Sequence, residues 1–141
     1  MRYNPDKINK MLFELKKAAD NLRRLSLIDK KTFLADPDKT SSAKYNFILA
    51  IEAIIDMANH IIAINNLRTP ENYADTFQVL HQSGALSEKI TDNLIKMAKF
   101  RNRLVHIYWE VDDELLHTFL QQNLGDIADA RQELSKFING G

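Results

Sequence analysis

"FILAIEAIIDMANHIIAI", residues 47–64, is the longest apolar run in this 141-residue chain, and its reading decides the fold. Its length approaches that of a bilayer-spanning helix, which needs about 20 apolar residues. Glu52, Asp56, Asn59 and His60 interrupt it, however, and ionisable groups in a span are costly. The run therefore reads as a buried helix rather than a membrane segment. It is apolar around much of its circumference, so it predicts the central helix of a bundle, running from about Ala43 to Asn65.

The flanking segments agree with that centre. Ile8, Met11, Leu12, Leu15, Ala18, Ala19, Leu22 and Leu25 follow three-four spacing, which predicts a first helix from about Asp6 to Leu27 with one buried stripe. A loop is expected around "FLADPDKTSS": Pro37 disfavours helix at Asp36, and Ser41 or Ser42 can cap the central helix. In "NNLRTPENY", Thr69 as N-cap and Pro70 at the first helical position predict a short helix ending near Gln82, with Gly84 as its left-handed stop. Ser87 is placed to cap a fourth helix through Ile90, Leu94, Met97, Ala98, Arg101, Leu104 and Val105. A fifth starts at Asp112 or Asp113. Its stripe of Leu116, Leu120, Leu124, Ile127, Leu134 and Phe137 keeps phase through Gly125, predicting one helix with room for a bend there. Four glycines, three prolines and no internal repeat or linker complete the pattern. The expected architecture is all-α: a single domain over residues 1–141, an antiparallel helical bundle of about five helices with short loops.

Composition narrows the function classes. With no cysteine, disulfides and thiolate metal sites are excluded, which suits a reducing cytosol. The N-terminal stretch alternates charged and apolar residues and lacks the apolar run of a signal peptide. A soluble, cytoplasmic protein without a membrane partner is expected. Net charge is zero but unevenly spread: residues 1–31 carry nine Lys/Arg against four Asp/Glu, and residues 110–141 carry two against seven. A basic first helix beside an acidic last helix accounts for part of this. Any polyanion must use a local basic patch, such as residues 87–105 with five Lys/Arg against two acids.

Most active-site types find no support. His60, His81, His106 and His117 show no metal-ligand spacing, so no metal and no cofactor is expected. Gly84 and Gly125 are solitary and Gly140–Gly141 is a bare pair, which removes a phosphate-cradling loop, and no serine sits in a nucleophile elbow. Asp56, Asn59 and His60 interrupt the central helix either as polar groups satisfied by neighbouring helices or as support for a site across the bundle. Asp56 is the expected partner of a buried arginine.

What stands out is "KFRNRLVHIYWEV", residues 99–111, with three cations, a histidine, a tyrosine and the only tryptophan. On a helix Arg101, Leu104, Val105 and Tyr108 share a stripe, and Asn102 neighbours His106. Arg101 and His106 lie about 140° apart, a gap that the long arginine stem can close. Guanidinium, amide, imidazole and phenol around one patch suit phosphodiester chemistry. Arginine holds a phosphate bidentately, and histidine moves a proton near neutral pH. A structural salt bridge and a helix-end histidine would read the same way from spacing alone.

"RNRLVHIY" carries the R-x-x-x-x-H-x-Y pattern and resembles the HepT-like toxins, a branch of the HEPN ribonuclease superfamily. The resemblance extends over about residues 6–138, through "IEAIIDMANHIIA" and "FQVLHQSGALSEKITDNLIKMAKFRNRLVHIYWEVDDELL". It implies a HEPN-like all-α homodimer whose two motifs meet in a cleft, and a metal-independent endoribonuclease. Arg101 would then hold the scissile phosphate, His106 act as general acid or base, and Asn102 orient. Attack by the ribose 2′-hydroxyl makes RNA, tRNA or mRNA, the substrate and leaves a 2′,3′-cyclic phosphate. Family members pair with an MNT-type nucleotidyltransferase antitoxin that can AMPylate the motif tyrosine, here Tyr108. Arg103 departs mildly from the pattern and is either an RNA contact or a salt-bridge partner. The alternative is a non-catalytic HEPN-like protein serving as nucleotide-binding or scaffolding partner of a nucleotidyltransferase.

Overall fold

The computed structural model describes residues 3–140, with side chains to Phe137; Met1, Arg2 and Gly141, the ends of the expected 1–141 domain, lie outside the described residues. Among the described residues there are seven α-helices and no strand: α1 Pro5–Ser26, α2 Lys30–Ala35, α3 Pro37–Ile64, α4 Tyr73–Gln82, α5 Glu88–His106, α6 Asp113–Gln122 and α7 Leu124–Gly140, with a 3-10 turn at Tyr108–Glu110.

The central apolar helix is α3, and it is covered by every other helix except for one flank. It is long and apolar enough to cross a membrane, yet 56% of its most apolar window is buried inside the fold. Phe47, Ala50, Ile51, Ile54, Met57, Ala58 and Ile61 are all within the core. α1 runs antiparallel along α3, with Asn4 beside His60 at one end and Asn21 bonded to Asn46 at the other. α5 is also antiparallel to α3, and an aromatic triad sets its height. Phe100 of α5 stacks on Phe119 of α6 at 4.1 Å, and Phe47 of α3 meets both edge-on at 5.5 and 6.3 Å. Such pairs prefer these offset geometries and add to the burial of their area.

The helix borders differ from expectation in three places, each for a local reason. The expected loop at residues 33–42 is helical on both sides of Asp36. Asp29 caps the short α2, and Pro37 begins α3 as its first residue, with the extended Asp36 capping it through Asp38 N. Ser41 and Ser42 are thus inside α3, since proline restricts the residue before it but fits the first helical turn. α4 starts at Tyr73 rather than Pro70, because Asn72 accepts from Asp75 N and is the cap. The last helix is two. Asn123 closes α6 on Phe119 O and its side chain holds Asp126, which Asn93 of α5 also holds. Gly125 falls in the first turn of α7 instead of at the bend. The expected stops elsewhere are present: Gly84 is left-handed at φ 88°, and Ser87 caps α5. Glu133 of α7 takes both Ser87 N and Ser87 Oγ at 2.8 Å, tying the start of α5 to the last helix. α1 and α7 are neighbours as the charge distribution suggested, although no ion pair joins them among the described residues; Lys16, Arg23 and Arg131 flank their shared groove.

Two polar clips lie at and just beyond the C-terminal end of α3. After Asn66, which takes the left-handed conformation at φ 54°, Arg68 forks onto both oxygens of Asp75 at 2.7 and 3.0 Å. Asp75 also accepts from Glu71 N, so one carboxylate fixes the chain from Arg68 to Asn72. The Arg68 hydrogen bonds hold the Asp75 carboxyl at about 2. At the other clip, His60 Nε2 accepts the Asn4 N–H at 2.8 Å, which requires an unprotonated nitrogen there. Burial, and then the charge of Lys7, pushes His60 below the ordinary histidine value.

Both clips are testable. A histidine lowered in the folded state binds more protons when unfolded, so its stabilisation is intact above the ordinary histidine range and is lost as pH falls through the folded value. The melting temperature should therefore drop more for wild type than for His60→Gln between about pH 8 and about pH 5; equal drops would remove His60 as a cause. Arg68→Ala should speed amide exchange in residues 66–73 while leaving the global melting temperature nearly unchanged, as loss of an exposed ion pair does. Unchanged exchange there would mean that the loop is held by something other than the fork.

Candidate active site

The motif lies where α5 ends against the middle of α3. Arg101 is within the regular part of α5, three residues before the buried Leu104, and its side chain is only 13% exposed. Its Nε and Nη2 both donate to Glu52 Oε1, at 3.2 and 2.7 Å, and its Nη1 donates to Asn102 Oδ1 at 3.1 Å. The ring of Tyr73, at the start of α4, lies 4.9 Å from the guanidinium carbon, a cation–π distance. Arg101, Asn102, Val105 and His106 line one depression of about 460 Å³ together with Asn72 and Tyr73. The 140° separation of Arg101 and His106 on the helix is closed in this way: both border the same groove. His106 is the last residue of α5, exposed, and its side chain meets no hydrogen-bond partner among the described residues.

Tyr108 is elsewhere. Helix α5 stops at His106, Ile107 leaves helical geometry at φ −135° and ψ 46°, and Tyr108 opens the 3-10 turn. The stripe shared with Arg101, which needs a continued helix, does not form. Tyr108 is instead 39% exposed, its ring beneath the nearly buried Lys44 ammonium at 4.5 Å. Lys44 in turn faces Asp113 at 3.4 Å, so one lysine holds the 3-10 turn to both α3 and α6. Trp109 is 77% exposed. Arg103 is exposed, and no ion pair reaches it among the described residues.

The arginine's carboxylate is Glu52, not Asp56. Both face out of α3 one turn apart, and the height of α5, set by the Phe47–Phe100 contact, brings Arg101 opposite the earlier one. Asp56 stands at the rim of a second groove with Lys7, Lys10 and Met11 of α1. Partial burial and the charge of Glu52 raise its pKa, and the charge of Arg101 counters them. Asn59 accepts weakly from Thr76 at 3.4 Å and His60 holds Asn4, so these two polar interruptions are satisfied by α4 and by the start of α1. Glu52, Asn72 and Tyr73 were not singled out by sequence. Two acids four residues apart do not show which one meets α5, and a tyrosine opening a helix carries no distinguishing pattern.

Similarity to known proteins covers the fold and this motif together. The chain matches the sequence model of the family described as Ribonuclease HepT-like over residues 15–134. It is 34% identical over 98 residues to the mRNA nuclease HepT of Shewanella oneidensis, spanning 70% of this chain and 74% of that protein. Its structure is similar to that of a tri-AMPylated Shewanella oneidensis HEPN toxin in complex with MNT antitoxin, with a TM-score of 0.85, 28% identity and coverage of 92% of this chain and 97% of that one. A cytosolic protein of Bacillus subtilis shares the fold at a TM-score of 0.82 and 23% identity, covering 98% of this chain and 92% of its own. An all-α bundle that ends its motif helix on the histidine of R-x-x-x-x-H-x-Y, matched along most of its length, belongs to the HepT-like ribonuclease family.

Proposed function

We propose that this chain is a cytoplasmic endoribonuclease toxin that needs no metal and is held in check by an MNT-type nucleotidyltransferase antitoxin. The observation that carries the reading is the shared groove of Arg101, Asn102 and His106, in which the arginine is fixed and the histidine is free. The steps need little else. Arg101 takes the non-bridging oxygens of a phosphodiester and stabilises the charge that grows on them. Asn102, bonded to Arg101 Nη1, orients it. An imidazole takes the proton of the ribose 2′-hydroxyl as its oxygen attacks phosphorus, and the 5′-oxygen leaves with a proton, so the products are a 2′,3′-cyclic phosphate and a 5′-hydroxyl. A homodimer that brings two motifs face to face supplies one His106 to take a proton and a second to return it. Val105 and Trp109, apolar and exposed within or beside the motif, are surfaces that such a dimer covers.

Regulation follows from Tyr108. Its exposure leaves the phenol accessible to a transferase, and each adenylate adds an anionic phosphate and a purine within two residues of His106. RNA then meets negative charge at the motif. The Shewanella toxin described as tri-AMPylated supports this site of control, and the name of the Shewanella mRNA nuclease makes mRNA the first substrate to try beside tRNA. One observation favours the rival, non-catalytic partner: Arg101 is already paired with Glu52, as a purely structural arginine would be.

The two readings separate on a single comparison. Wild type purified without its antitoxin, with an unmodified Tyr108 confirmed by mass, should cut total tRNA or mRNA in excess EDTA and leave cyclic phosphate ends. His106→Ala should lose at least about 100-fold in rate, the usual contribution of a general acid or base. Its melting temperature should stay put, because His106 is exposed and unbonded. Intact RNA with the unmodified wild type would favour the scaffold.

A further inference from the structure

Resting on the ribonuclease reading, we infer that Glu52 is a positioning residue: it grips the inner edge of Arg101 so that the outer edge of the guanidinium faces the groove where His106 works. A guanidinium has five N–H donors in one plane. Glu52 Oε1 takes one from Nε and one from Nη2, and Asn102 takes one from Nη1. One N–H is left on each Nη, and with Asn102 on the Cδ side of Nη1 these two share the end edge, the pair that a phosphate accepts two at a time. Tyr73 covers one face of the same group at 4.9 Å. Edge and face are thus both held, on helices packed into the core, and the remaining freedom of the arginine is small.

Glu52 has an opposite effect as well, since its negative charge beside Arg101 repels an incoming phosphate. The two effects leave different kinetic signatures. If neutralisation dominated, removing the charge would tighten RNA binding and speed cleavage. If positioning dominates, removing it leaves a looser arginine that still attracts RNA but seldom meets the transition state in line. Misplacement of about 1 Å can cost about 100-fold in rate. Positioning is expected to win because Glu52 remains 38% exposed, so solvent screens its repulsion, while it holds Arg101 through a short bond from Nη2 and a second, longer one from Nε.

The test uses the purified full chain without antitoxin and an oligoribonucleotide that wild type cleaves. Glu52→Gln should lower kcat by roughly 10- to 100-fold without raising KM. A kcat no lower than wild type overturns the inference, whatever KM does. A second measurement reads the same grip by a different signal, with folding of each variant checked by its melting temperature. Arg101→Ala should regain part of its activity when free guanidinium ion is added, because the ion can settle between Glu52 and Tyr73. Adding Glu52→Gln to Arg101→Ala should abolish that rescue; equal rescue in both overturns the inference. Wild type that cuts no RNA removes the ribonuclease reading and this inference together, whereas cleavage by wild type with unaltered Glu52→Gln removes only the latter.

Discussion

A helix that is apolar around most of its circumference must be covered from several sides, and everything in this molecule is arranged to cover α3. Each buried phenylalanine, leucine or isoleucine contributes roughly 1.5–3 kcal/mol, against about 1 kcal/mol or less for an exposed ion pair. Packing therefore sets where the helices lie, and the polar contacts adjust to it. The Phe47–Phe100–Phe119 triad illustrates the order of control. It fixes how far α5 slides along α3, and with that it selects Glu52 rather than Asp56 as the carboxylate opposite Arg101.

The polar interruptions of α3 then have separate physical roles. Glu52 faces α5, Asn59 faces α4 and His60 faces the start of α1. Each lies at a seam between helices rather than within the apolar interior, where an unpaired polar group would cost several kcal/mol. Such pairs add little net stability, but a helix shifted by one turn would break all three. They discriminate against wrong registers of a greasy helix that could otherwise pack in several ways. Among the described residues Asp56 has no hydrogen-bonded partner, and partial burial, then the charge of Glu52, raises its pKa.

How much of this was legible depended on the range of the interaction. The all-α class, the central helix, Gly84 as a left-handed stop and Ser87 as a cap followed from periodicity and local capping chemistry, which act within a few residues. The motif itself was legible by resemblance. The rest required tertiary information. Pro37 looks like a breaker until Asp36 is seen to cap the helix it begins. Asn123 looks like an ordinary helix residue until Asp126 and Asn93 are seen to hold the break. The choice between Glu52 and Asp56 is a difference of one helical turn, and the contribution of Tyr73 depends on how the Arg68–Asp75 fork bends the chain before α4.

The end of α5 at His106 matters more than its single-residue position suggests. Helix regularity up to Leu104 keeps Arg101 fixed in a nearly buried setting, suited to holding a charge whose place must not vary. Beyond Leu104 the backbone leaves the core, so His106 stands exposed at the helix terminus. Two residues later the chain has turned out of the helix, and Tyr108 is presented on a short 3-10 turn anchored by Lys44 instead of being packed beside Arg101. A continuous helix would have placed the tyrosine on the arginine's own stripe, where it would crowd the groove and be less accessible to a modifying enzyme. Three residues within eight positions thus occupy three mechanical settings: rigid, terminal and presented. That gradient is a consequence of where the core stops supporting the helix, and under the proposed function it gives one short motif both a reactive centre and a handle for control.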